Sequence, residues 1–249
     1  MAITTKITLW DIPTTLPNQQ PASPFTSSVR YALNYKKLSF TTSWTDFANI
    51  KADALSAGAK PTSILPDGTP RYTVPFIVDS TSGTPVVVSD SLAIVQYLDT
   101  TYPDPEHQLL EPSPANTAVH ALGKIALETC VGPIVVPMML PRIMNLLTSD
   151  ENKAIMRARL PPGHQEVKVD STEGKALIGA SKEKLEAIAK TFGEQKWFGG
   201  DKPVYLDLAL LGYLNFFRHV NEDVWNVLKE VDGGRFERMI EAGADWAKL

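Results

Sequence analysis

Val74-Pro75-Phe76-Ile77-Val78-Asp79, Ser80-Thr81-Ser82-Gly83-Thr84-Pro85 and Val86-Val87-Val88, followed by the segment Asp90 to Tyr102, decide the fold. Two apolar runs separated by turn-forming residues predict a β-hairpin. The segment after them sets Leu92, Val95 and Leu98 along one helical face, which predicts a helix packed on that hairpin. Upstream, Ile7-Thr8-Leu9-Trp10 and Leu38-Ser39-Phe40-Thr41-Thr42 have period-two patterning, while Val29 to Lys37 and Asp46 to Ala57 are spaced like helices. The first hundred or so residues therefore run β-α-β-α-β-β-α.

A mixed sheet carrying helices is the natural solution for that order. Two βαβ-type crossings call for parallel neighbours, and the closing hairpin calls for an antiparallel pair. Residues 1–101 are thus expected to form a thioredoxin-like α/β domain. Residues 102–114, from Tyr102-Pro103-Asp104-Pro105 to Pro112-Ser113-Pro114, are punctuated by proline and carry little that a core would want, so they are expected to form a linker. In residues 115–249 no convincing strand pattern follows. Asn116 to Val131, Lys175 to Phe192, Pro203 to Arg218 and Asn221 to Lys229 all favour helix, so the second domain is expected to be all-helical. Pro133, Pro137 and Pro141 recur around Met138-Met139 and predict a broken or bent apolar helix. It is either a core helix that ends and restarts or a pliable methionine-lined wall for an apolar ligand. Gly163 to Thr172 reads as a loop.

Composition excludes several classes. The chain has 249 residues, 43% of them hydrophobic, with 24 Lys+Arg against 28 Asp+Glu. That content buries a core, and a net charge of −4 with scattered cations makes no field for nucleic acid. Cys130 is the single cysteine, so neither an internal disulfide nor a cysteine zinc site can form, which suits a reducing compartment. His107, His120, His164 and His219 have no metal-like spacing, and no metal is expected. No apolar run approaches the roughly 20 residues that cross a bilayer, and Met1 to Trp10 has no leader-like core. A cytoplasmic protein without a membrane partner is expected.

Four landmarks in order, Ser23-Pro24-Phe25, Thr73-Val74-Pro75, Ser89-Asp90-Ser91-Leu92-Ala93-Ile94 and Gly200-Asp201-Lys202-Pro203 with Asp207, resemble those of cytosolic glutathione transferases across both domains. Arg30-Tyr31-Ala32-Leu33-Asn34-Tyr35-Lys36 and Asp232-Gly233-Gly234-Arg235-Phe236 are most similar to the fungal FuA class, related to glutathione-dependent β-etherases. The resemblance implies a homodimer that binds glutathione as cosubstrate and adds its thiolate to small hydrophobic, aromatic electrophiles. A ligand carrier (ligandin) for aromatic small molecules and a glutathione-dependent β-etherase are the alternative activities.

Ser23-Pro24 supplies an N-cap hydroxyl and a ready first helical residue, where free N–H groups favour negative charge. Ser23 either only caps the helix or also donates a hydrogen bond to a bound thiolate; Ser27 is the second choice, with Thr26 and Ser28 in the same turn. An alcohol cannot carry thiol–disulfide exchange, so thiol-transferase activity is expected to be absent. The resemblance implies a cis-proline at Val74-Pro75 presenting the backbone of Val74 to the cysteinyl part of glutathione. It also implies that Asp90 and Ser91 receive the γ-glutamyl end; both could equally cap the helix. Lys60 and Arg71 are the nearest cations for the glycyl carboxylate. Phe25, Met138 and Met139 are candidates for the hydrophobic ligand site. Asp207 lacks a hydroxyl three residues before it, where Val204 stands, and is expected to be structural.

Overall fold

A computed structural model describes residues 3–17 and 20–249; Met1 and Ala2, part of the Met1 to Trp10 stretch, lie outside the described residues, as do Asn18 and Gln19. Strand β1 (Ile3–Asp11) pairs in parallel with β2 (Leu38–Trp44), joined through α1 (Pro24–Tyr35). After α2 (Ile50–Ala57) comes a small hairpin of β3 (Ser63–Ile64) and β4 (Pro70–Arg71). Then β5 (Phe76–Asp79), β6 (Val86–Ser89) and α3 (Ser91–Thr101) complete a sheet ordered β2-β1-β5-β6.

This is a thioredoxin-like mixed sheet, with one difference from expectation. Only β1 and β2 are parallel; β5 runs antiparallel to both β1 and β6. The β3–β4 hairpin turns the chain before β5, so β5 enters the sheet from the opposite end. Its strands are two residues long and exposed, too short for any alternation to register in the sequence. Helix α1 likewise starts at Pro24, ahead of the Val29 start given by apolar spacing, because Ser23 caps it and Pro24 occupies the first turn.

The helical half comprises α4 (Pro114–Ile134), α5 (Leu140–Leu146), α6 (Asp150–Arg157), α7 (Thr172–Lys190), α8 (Tyr205–Val220), α9 (Glu222–Leu228) and α10 (Arg235–Ala242). The proline-rich stretch bends but does not break. Pro133 lies inside α4, and a wide π-helical turn, Val135–Met139, connects α4 to α5. Carbonyls loosened there are taken up elsewhere: that of Pro137 by Val167 N–H at 3.0 Å and that of Met138 by Asn221 Nδ2 at 3.1 Å. The helical path Pro114–Leu146 is long and apolar enough to cross a bilayer by length and composition alone, contrary to the expectation that no apolar run approaches that length. It packs against α7 and α8.

The stretch between the halves is held firmly. Lys36 Nζ bonds Asp99 Oδ1 at 2.7 Å, and Asp99 Oδ2 accepts from the N–H groups of Leu109 and Leu110 at 2.9 and 2.7 Å. Leu109 and Leu110 are buried, so the linker gives the core two anchors that its prolines masked. Asp207, fully buried, accepts from Val204 N–H at 2.9 Å and Phe198 N–H at 2.8 Å; Val204 returns no side-chain bond. Burial pushes the Asp207 carboxyl up to about 7 against the pull of those N–H groups.

The two halves meet where α8 crosses α1. Gly212 of α8 faces the first residue of α1 so closely that a Cβ there would lie 2.3 Å from the Pro24 carbonyl oxygen. Backbone cannot yield as a side-chain tip can. Gly212→Ala should therefore displace the start of α1 and lower stability by about 1–3 kcal/mol, read as a lower urea midpoint at unchanged m-value.

Candidate functional site

The register Phe76↔Ser89 sets the start of β5 beside the end of β6, so Val74-Pro75, before one strand, and Asp90-Ser91, after the other, leave the sheet at the same end. The Val74–Pro75 peptide bond is cis. Asp90 is the N-cap of α3 with φ of 80°, a left-handed conformation unusual for a residue with a side chain. Its Oδ1 accepts from Leu92 N–H at 2.9 Å and Ala93 N–H at 3.3 Å. Its Oδ2 accepts from Lys124 Nζ of α4 at 3.2 Å.

Lys124 ties two of these segments together, because its ammonium also stands 5.4 Å from the centre of the Phe25 ring at the start of α1. Phe25 in turn meets Tyr213 of α8 edge-on at 5.9 Å. The beginning of α1, the beginning of α3 and two helices of the second half thus border one region. Lys124 was not found in the sequence, where a lysine in a long apolar helix looks like an ordinary surface charge.

Four hydroxyls crowd the first turn of α1, and their hydrogen bonds separate them. Ser23 is half-buried and its Oγ accepts from Thr26 N–H at 3.3 Å, a bond that uses a lone pair and leaves the hydroxyl proton free. Ser28 donates its proton to the Phe25 carbonyl at 2.8 Å. Thr26 is fully buried. Ser27 is largely buried and lines a small, partly open recess of about 30 Å³ with Gln20, Pro21, Arg30, Asn215 and His219.

Ser91 Oγ lies 2.9 Å from the hydroxyl of Tyr205, the first residue of α8, and both are buried. Burial raises the Tyr205 pKa, so the phenol keeps its proton and can donate to Ser91. The Ser91 proton is then available to another acceptor. Lys60 and Arg71 are exposed, and no acid partner pairs with either among the described residues. Met138 and Met139 are fully buried within the core, so a ligand reaches them only by displacing packed side chains. Cys130 is buried, and its thiol is pushed up by burial. Among the described residues no group of three or more His, Cys, Asp and Glu side chains could hold a metal. A surface recess of about 340 Å³ beside α10, lined by Glu194, Lys196, Arg235 and Arg238, shares no residue with this region.

Beneath α1, Arg30 and Asp11 form a fully buried pair at 3.3 Å, with Arg30 also donating to Thr42 Oγ1 at 3.0 Å. This joins α1 to the ends of β1 and β2. Burial outweighs the Arg30 charge and pushes the Asp11 carboxyl up to about 6.

Two family models match, the N-terminal domain of glutathione S-transferase over residues 19–106 and the C-terminal domain over residues 118–246. The chain belongs to the glutathione S-transferase family. Among its relatives is the glutathione S-transferase-like protein ustS of Aspergillus flavus, 28% identical over 257 residues, which cover 95% of this chain and 89% of that protein. The glutathione S-transferase CsGST63524 of Ceriporiopsis subvermispora, solved in complex with glutathione, superposes with a TM-score of 0.85 at 28% identity over 98% of both chains. GSTFuA3 of Phanerochaete chrysosporium gives 0.83 at 26% identity, also over 98% of both. These fungal transferases agree with the FuA-like landmarks quoted above.

The Arg30–Asp11 pair fixes α1 to the sheet. A carboxyl raised from 3.8 to about 6 holds its proton better in the folded state, so its contribution is full below about pH 4 and is lost as pH rises to about 6. Arg30→Met removes the guanidinium and extends that loss to higher pH. Urea unfolding should show a deficit of about 3–5 kcal/mol, larger at pH 8 than at pH 6.

Proposed function

We propose that this chain is a glutathione transferase of the serine type, which stabilises the glutathione thiolate and adds it to small hydrophobic, aromatic electrophiles. The observation that carries the reading is the Ser23 hydroxyl, the one of four in the turn that is partly exposed and keeps its proton. Capping and thiolate donation do not compete, because the cap uses a lone pair and the thiolate takes the proton. The helix start adds positive potential from its unpaired N–H groups. Both effects lower the thiol pKa from about 8.5 toward neutrality.

The rest of the tripeptide is held as follows. Val74, fixed by its cis bond to Pro75, turns its backbone to the cysteinyl residue. Ser91, whose proton is released by Tyr205, donates to the γ-glutamyl carboxylate, and Asp90 attracts the ammonium. Lys124 already shares Asp90, which tempers that attraction. Phe25, backed by Tyr213, offers an apolar face to the electrophile next to the sulfur. Proximity and a lowered pKa supply the rate. A single buried cysteine suits a reducing, cytoplasmic location.

The pH dependence of thiolate absorbance in the glutathione complex tests the assignment. Ser23→Ala should raise the pKa of the bound thiol part of the way back toward about 8.5 and lower kcat/KM for a chloronitroaromatic electrophile by roughly tenfold or more, while Ser27→Ala leaves both near wild type. A pKa rise confined to Ser27→Ala would move the role to Ser27.

The exposed face of α4 supports a homodimer. Val119, Leu122 and Ile125 lie along it 63%, 66% and 58% exposed, an apolar ridge that a second copy would cover. Light scattering should give twice the chain mass for the wild type and a single chain mass for Leu122→Glu.

A further inference from the structure

Buried tyrosines in this protein give their hydroxyls to neighbours, with one exception among the described residues. Tyr31 receives a hydrogen bond from Asn215, Tyr35 donates to the Glu106 carbonyl at 3.3 Å, and Tyr205 lies 2.9 Å from Ser91 Oγ. Tyr213 of α8 is as deeply set, 6% exposed, yet its hydroxyl has no hydrogen-bond partner among the described residues. That hydroxyl is not one of the fully covered polar atoms left without a partner either, so the small remaining exposure of the side chain includes it. The ring is sunk in the core while the oxygen reaches open space, which leaves a donor without an acceptor.

The fold puts this oxygen beside the start of α1. Gly212, the preceding residue, touches the Pro24 backbone, and the Tyr213 ring meets the Phe25 ring edge-on with centroids 5.9 Å apart. Two consecutive residues of α8 thus lie against two consecutive residues of α1, and Ser23 is the next residue back. Phe217 stacks on the Tyr213 ring from one turn along, with centroids 6.4 Å apart, so the ring is held by two others. Helix α4 brings the charges: the Lys124 ammonium stands 5.4 Å from the Phe25 centroid, and Glu128 follows one turn later. Burial, and after it the charges of Glu128 and Tyr205, raise the Tyr213 pKa, so the phenol keeps its proton wherever a glutathione thiolate forms.

A neutral donor fixed in a mostly buried position acts on charge that develops on an oxygen during reaction. We propose that Tyr213 is a catalytic residue that hydrogen-bonds an oxygen of the electrophile, so that this site favours aryl-substituted conjugated carbonyl compounds over alkyl halides. The inference rests on the transferase reading above and gives that site a substrate class. In the addition, the sulfur electron pair forms the C–S bond to the β-carbon, and the C=C π pair shifts so that charge collects on the carbonyl oxygen. Tyr213 donates to that enolate oxygen. The α-carbon then takes a proton from water, which balances the one given up by the thiol. Displacement of a halide places the charge on the halide, and no oxygen gains any.

Steady-state kinetics of the full chain with benzylideneacetone, an aryl enone, and benzyl chloride, which carries the same ring without an oxygen, test the assignment. Tyr213→Phe keeps the ring that packs on Phe25 and Phe217. It should lower kcat for the enone by about tenfold or more, hold kcat for benzyl chloride within about twofold, and leave the pKa of the bound thiol unchanged. Equal losses with both electrophiles would mean that Tyr213 only supports Phe25, and no loss with either would mean that the hydroxyl is idle; each overturns the proposal. So would a wild type that consumes benzyl chloride but not the enone, although the transferase reading would then stand. Turnover of neither compound, nor of a chloronitroaromatic one, would remove both.

Discussion

The approach of Gly212 to the Pro24 carbonyl is the constraint on which the arrangement turns. Helix α1 lies between the sheet, to which Arg30 ties it through Asp11 and Thr42, and α8, which touches its first turn without an intervening side chain. Its start is therefore fixed from two sides. The thiolate contact proposed for Ser23 needs a hydroxyl that stays in place, and the Pro24 backbone next to it is confined by Gly212.

Three polar contacts across the domain boundary share a pattern. Lys124 reaches Asp90, Tyr205 reaches Ser91, and Asn152 reaches Asp46 and Phe47. In each, a residue of the helical half bonds to a loop or helix start of the sheet half. The helical half thereby gives hydrogen-bond partners to groups at the loop and helix starts of the sheet half. Lys36 with Asp99 and the buried Leu109 and Leu110 hold the connecting stretch, so the boundary behaves as packed interior.

Much of this was legible in the sequence because it depends on local rules. The Phe76–Asp79 and Val86–Ser89 hairpin, the Ser23-Pro24 cap and the long helices announce themselves by spacing and turn chemistry. The antiparallel entry of β5 was not legible, since it follows from a two-residue hairpin with no buried face. Helices α6 and α10 were also missed. Each is eight residues long, and the buried side of α6 includes Asn152, a polar residue that apolar periodicity passes over. Lys124, Tyr205 and Tyr213 acquire their roles only when segments distant in sequence meet. The cis bond before Pro75 is invisible in a Val-Pro dipeptide without the family resemblance.

The wide turn Val135–Met139 resets the angular phase of everything after it. A π turn takes up one residue more than an α turn, which swings the following helix by about 100° relative to a straight continuation. The side of α4 that carries Val119, Leu122 and Ile125 therefore does not carry on into α5, where Ile143 points inward and the exposed position is Asn145. The outward-facing apolar strip ends near Val136, at roughly 26 Å from Val119 by helical rise, so it has a built-in length.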